Sequence, residues 1–210
     1  LAIANKIKEE EKDSEIIFIG TDRGLENDLV PRAGYELKRI EAYGLSKEIS
    51  ISNLKKICKT LRATGKARKI IREFKPDIII GAGGYICGPV VWAGKKENIP
   101  IILHESNAFP GKAVKTLAKK ANTVLISFEE ARNRIPHAKN IVFTGTPVKI
   151  KKIDYSKETK EKKLKEINLK PELPTVLIFG GSQGAQKINE AIIGILGDKL
   201  NKDYQIIWAT

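Results

Sequence analysis

The sequence contains no methionine in 210 residues and only two cysteines, Cys58 and Cys87. The two lie far apart and show neither CxxC nor Cys/His spacing. That excludes a zinc site and a disulfide framework and suits two thiols in a reducing compartment. Aromatic residues are few, at 6%, and no RNP-like or zinc-finger pattern occurs. A nucleic-acid partner is therefore not expected, although the formal net charge is +13. No stretch approaches the roughly 20 uninterrupted apolar residues of a membrane span, and no signal-peptide pattern opens the chain. Also missing are a Ser nucleophile elbow, HExxH, a Walker Gly-Lys-Ser/Thr and the Asp-x-Asp pair that can hold a divalent metal. What is present is the material for a packed core: 41% hydrophobic and 30% charged residues.

The positive charge is concentrated from Lys55 to Lys75, which holds nine Lys or Arg and one Glu. Apolar residues there (Leu54, Ile57, Cys58, Leu61, Ile70, Ile71 and Phe74) follow helical spacing. Two readings coexist: a basic amphipathic helix lying against anionic lipid, and a surface helix packing its apolar stripe on a sheet. Leu1–Ile7 reads as the middle of a helix with no capping residue before it, and Tyr204–Thr210 as a strand with nothing after it. The expectation is a chain truncated at both ends.

Short β-rich runs alternate with helical patterns. The runs are 15–20, 77–82, 100–104, 122–127, 140–144, 174–180 and 204–209. Most are continuous apolar stretches, as strands buried on both faces of a parallel sheet should be. Helical patterns cover 25–33, 54–74, 89–97, 111–120, 129–135, 158–167 and 183–200. The fold class expected is α/β, doubly wound. Residues 1–147 are expected to form a first, acceptor- and membrane-facing Rossmann-like domain that lacks its first strand and loop, the charge-dense 148–170 a linker and surface helix, and 171–210 the start of a second, incomplete domain.

Four segments carry the candidate chemistry. Val176–Phe179 runs into Gly180-Gly181-Ser182-Gln183-Gly184-Ala185, an apolar strand feeding a glycine-rich turn and a helix. Small residues let the backbone approach a ligand, and free N–H groups at a helix start favour phosphate. The turn reads either as a phosphate or nucleotide site or as a tight structural return. Asp77–Ile80 leads likewise into Gly81-Ala82-Gly83-Gly84-Tyr85 and Gly88-Pro89, at a strand end where open α/β sheets place ligands. Tyr85 either lines an acceptor site or packs on the rim. Pro100–Leu103 ends in His104-Glu105-Ser106-Asn107, a polar group poorly suited to a core. Thr144-Gly145-Thr146-Pro147-Val148-Lys149 closes the first domain. His137 reads as solvated.

Together with Leu29-Val30-Pro31, these segments resemble, in order and spacing over essentially the whole chain, the MurG family. That is the membrane-associated N-acetylglucosaminyltransferase family that converts lipid I to lipid II in peptidoglycan synthesis. The resemblance implies a GT-B fold of two Rossmann-like domains, with the acceptor mainly on the first and UDP-GlcNAc mainly on the second. It implies donor contacts by Asn107 and, at the diphosphate, by Ser182, with Gly181, Gln183 and Gly184 beside it. Gly83, Gly84 and Tyr85 are expected on the substrate-binding surface. Lys149 stands where the family usually has Arg, which turns a bidentate phosphate grip into a point charge. Ser106 stands where Gln is usual and Thr146 where Asn is usual, so neither takes a side-chain role from the family.

The implied reaction is an inverting transfer of N-acetylglucosamine to the 4-hydroxyl of MurNAc, without a metal cofactor. His104 and Glu105 are the candidate catalytic residues, with two roles open: shaping the acceptor side of the site, or general base. A glycine-rich loop ending in His, which the family places ahead of Leu1, competes for the second role. The family's ribose and sugar contacts would follow Thr210, so this stretch alone is expected to be inactive. The partners implied are UDP-GlcNAc, lipid I and an anionic membrane surface, with peripheral attachment at the cytoplasmic face. Two alternatives remain: another GT-B lipid glycosyltransferase, or a non-catalytic basic binding domain.

Overall fold

The computed structural model describes residues 1–43, 51–148 (51–58 as backbone), 154–181, 185–197 and 203–209. It divides into two compact units, Leu1–Lys149 and Ile150–Thr210. The first unit runs α1 (Ala2–Glu10), β1 (Ile17–Gly20), α2 (Glu26–Arg32), β2 (Glu36–Arg39), α3 (Ile51–Phe74), β3 (Ile79–Gly81), α4 (Cys87–Lys96), β4 (Ile101–Glu105), α5 (Lys112–Leu117), β5 (Thr123–Ile126) and β6 (Ile141–Phe143). The second has α6 (Lys157–Glu166), β7 (Thr175–Phe179), α7 (Gln186–Gly197) and β8 (Gln205–Ala209). The helix expected to belong to a linker thus groups with the second unit.

Among the described residues every strand pairing is parallel. β3-β4-β5-β6 form a four-stranded sheet, and β1-β2 and β7-β8 form two-stranded ones. The apolar runs make the core. Ile101 and Leu103 of β4 and Val124 and Ile126 of β5 are fully buried and pack with Val91 and Ala93 of α4. Burying each large aliphatic side chain stabilises the fold by about 1.5–3 kcal/mol. Parallel order puts all four strand ends of the sheet, with the loops that follow them, on one edge. That edge carries the candidate site.

A cavity of about 730 Å³ lies between β1 and β3, with Ile17, Phe18, Ile19, Ile79, Ile80 and Val91 among its walls. Among the described residues β1 pairs only with β2, and β3 only with β4.

Three expectations change. Strand β2 was not anticipated. Its sequence Glu-Leu-Lys-Arg carries three charges, with Glu36 and Arg39 exposed and Lys38 paired to Glu36 at 2.5 Å. Residues 129–134, expected as α-helix, form a 3₁₀ helix, and so do 118–120 beyond α5. In α3 the buried stripe is Ala63, Ala67 and Ile71, one residue per turn, while Leu61 stands 67% exposed. Small residues on that face bring α3 close to α4, and Arg68 and Arg72 both reach Glu97 beyond α4, the latter at 3.0 Å. The side chains of Leu54, Ile57 and Cys58 lie outside the described residues. Among those described, no helix is long and apolar enough to cross a membrane.

In the second unit, Ser156 caps α6 by accepting the Thr159 N–H at 3.2 Å. The Gln205 side chain ties β8 to Lys170, accepting its N–H at 2.8 Å and donating to its carbonyl at 2.6 Å. Helix α7 has no buried residue, and its Ile193 is 60% exposed.

Candidate active site

Strand β3 ends at Gly81, and the chain turns through Gly83 and Gly84 at φ +91° and +78° before α4 begins. Two successive left-handed residues cost L side chains about 1–2 kcal/mol each, so the turn selects glycine. The Cys87 thiol donates back to the Gly83 carbonyl at 2.8 Å, and burial pushes that thiol up from its ordinary pKa. Tyr85 projects from the turn, half-exposed. Free amides and a half-exposed phenol beside a strand end offer donors to a polar ligand.

The neighbouring strand, β4, ends in His104 and Glu105, each only 3% exposed. The His104 ring lies between two hydroxyls, Nδ1 3.3 Å from Ser106 Oγ and Nε2 3.3 Å from Ser127 Oγ. Ser127 spends its own proton on the Gly145 carbonyl at 3.2 Å. Toward His104 it must therefore accept, which places the ring proton on Nε2 and lets Nδ1 accept from Ser106. The imidazole thus ties the ends of β4 and β5 to the turn after β6.

Glu105 is equally committed. Its Oε1 accepts the Asn107 backbone N–H at 2.9 Å and the Asn107 side-chain amide at 2.8 Å, and its Oε2 accepts the Gly111 N–H at 2.8 Å. The buried carboxylate closes loop 106–111 on itself and leaves Asn107 exposed at the edge.

The first unit therefore gathers Gly83, Gly84 and Tyr85 on the loop after β3, and His104, Glu105 and Asn107 at the end of adjacent strand β4 and on its loop. In the second unit, β7 returns sharply into α7: a Cβ on Gly180 would stand 2.5 Å from the Ala185 Cβ. Only glycine permits that approach. Gly181 is exposed with open space where a Cβ would be. Lys149, Ser182, Gln183 and Gly184 lie outside the described residues. Sequence reasoning passed over Ser127 and the Gly111 amide. Ser127 sits at the end of an apolar strand, and a buried hydroxyl there was the available sign. Among the described residues no group of three or more His, Cys, Asp or Glu could hold a metal ion.

A parallel α/β sheet with glycine turns and grouped polar residues along one edge is the arrangement of the GT-B glycosyltransferase class. The chain belongs to glycosyltransferase family 28, whose N-terminal domain matches residues 1–126. Over its whole length it is 42% identical to a UDP-N-acetylglucosamine–N-acetylmuramyl-(pentapeptide) pyrophosphoryl-undecaprenol N-acetylglucosamine transferase of Acetivibrio thermocellus, covering 56% of that protein. It is also 42% identical to the protein of the same name from Clostridioides difficile, of which it covers 51%. The chain thus spans about half the length of the curated relatives it matches. Among solved structures, the crystal structure of Acinetobacter baumannii MurG superposes with a TM-score of 0.69 at 25% identity, over 99% of this chain and 55% of that one. The resemblance to the MurG family stands on these relatives.

Proposed function

We propose that the protein carrying this chain transfers N-acetylglucosamine from UDP-GlcNAc to the 4-hydroxyl of MurNAc in lipid I, giving lipid II for peptidoglycan synthesis. The observation that carries this reading is identity of about 40%, over the whole chain, to transferases named for that reaction. The hydroxyl oxygen bonds to the anomeric carbon from the face opposite the diphosphate. The carbon–oxygen bond to UDP breaks, its electron pair leaves with UDP, and the hydroxyl proton passes to a base. Asn107 contacts the donor, and the loops of β3 and β4 face the acceptor. Charge on the departing diphosphate is met by backbone amides and the N-terminus of α7, and Ser182 and Lys149 are the side chains we assign to the donor from the family resemblance alone. No metal cofactor is required.

The same reading places the protein at the cytoplasmic face of the membrane, where its acceptor is anchored. Supporting it are exposed Arg62, Lys66 and Lys69 on α3 and two exposed aromatics under cations. Lys120 Nζ is 3.7 Å from the Trp92 ring centroid, and the Arg134 guanidinium is 4.3 Å from that of Phe109. Each near-surface cation contributes about 1 kcal/mol on anionic lipid. Phosphatidylglycerol vesicles should sediment the protein, and about 0.5 M salt should release it; binding indifferent to lipid charge and to salt overturns the membrane assignment. Competition between UDP-GlcNAc and UDP-galactose tests the donor. Equal use of both would favour a different lipid glycosyltransferase.

A further inference from the structure

We propose that Glu105 is a positioning residue, which acts by fixing the side-chain amide of Asn107 and takes no proton from the substrate. The proposal rests on the transferase reading only for the identity of what Asn107 touches. A general base needs a lone pair facing the hydroxyl it deprotonates, within hydrogen-bond reach. The Glu105 carboxylate is 3% exposed and already accepts three N–H groups of its own loop, all within 2.9 Å. Charge-assisted bonds of this kind are about twice as strong as neutral ones. Drawing the carboxylate toward a substrate would break the loop that presents Asn107.

The arrangement also sets the sense of recognition. Because Asn107 Nδ2 donates to Oε1 at 2.8 Å, a flipped amide would set its own oxygen against the carboxylate, acceptor facing acceptor. Asn107 Oδ1 is therefore the atom held away from Glu105, as an acceptor for a hydroxyl or N–H of the bound nucleotide sugar. It is unsuited to a phosphate oxygen, which accepts only. A neutral Gln at 105 keeps one acceptor oxygen and cannot serve both Asn107 and Gly111.

Two measurements test this. The first needs no activity: in ¹⁵N spectra of the chain, the Asn107 side-chain amide should show one proton shifted well away from the solvent-exposed position, and Glu105→Gln should return it there. An Asn107 amide at the exposed position in the unaltered protein overturns the proposal, whether or not the variant folds. The second uses the full-length protein. Glu105→Gln should lower kcat/KM about 10- to 100-fold, mainly through KM for UDP-GlcNAc, as expected for lost ground-state binding. The acidic limb of the pH–rate profile should remain. In an Asn107→Ala background the same change should cost less than about 2-fold, as required of coupled residues. A loss of the acidic limb with donor KM unchanged, or effects that multiply in the double variant, would overturn the assignment. If the amide is anchored but UDP-GlcNAc is not a donor, the transferase reading falls and the positioning role stands.

Discussion

Replacing His104 with alanine removes the side chain that links the β4 end to both Ser106 and Ser127. Ser127 is buried and keeps its bond to the Gly145 carbonyl, but it loses the donor on its other side. A buried polar atom left short of a partner costs about 1–3 kcal/mol. The space vacated by an imidazole at 3% exposure adds a cavity cost, and the two together come to about 2–4 kcal/mol. Urea unfolding followed by fluorescence reads this, since Trp92 lies in the first unit and Trp208 in the second. The first unit's transition should move to lower urea, while kcat of the full-length protein at a temperature where it stays folded should fall less than about tenfold. Removing a general base costs about 10²–10⁴-fold. Stability unchanged within about 0.5 kcal/mol, together with a hundredfold loss of kcat, would refute the reasoning and make His104 the base.

Glu97 gives a pH dependence. Hydrogen bonds from Arg68, then Arg72, hold its carboxyl below the ordinary value of 4.5, so the folded state favours the ionised form. That contribution is fully present above about pH 4.5 and is lost as pH falls through the lowered folded value. Glu97→Gln should flatten the acid side of the stability–pH curve, and an unaltered curve would remove the α3–α4 clamp from the account. Gly84 sits at φ +78°, so Gly84→Ala should cost about 1–2 kcal/mol, read as a lowered thermal midpoint. A midpoint unchanged would contradict the left-handed turn.

Most strands were legible because a buried parallel strand has to be apolar on both faces, as Ile101–Leu103 and Val124–Ile126 are; Val176–Phe179 is equally apolar, although Val176, Leu177 and Phe179 stand exposed. Strand β2 escaped because an edge strand can be charged without cost: Glu36 and Arg39 face solvent. The α3 stripe shifted because alanines at 63 and 67 make the close approach that a search for large apolar residues overlooks. At the site, the polar group 104–107 stood out at the end of an apolar strand, but its division of labour did not. His104 and Glu105 left two roles open in the sequence, shaping the site or general base, because their partners Ser127 and Gly111 come from loops distant or unremarkable in sequence. Hydrogen-bond partners across parallel strand ends have no sequence spacing to betray them.

On the proposed function, the strand-end loops of the first unit belong to an inverting UDP-GlcNAc transferase. The most direct measurement is the anomeric configuration of the product formed by the full-length protein from UDP-GlcNAc and a lipid I analogue, read from the ¹H–¹H coupling at the new linkage. A β-linked N-acetylglucosamine on the 4-hydroxyl, with one UDP released per linkage, is the expected product. An α-linked product, or UDP released without transfer to the acceptor, would contradict it.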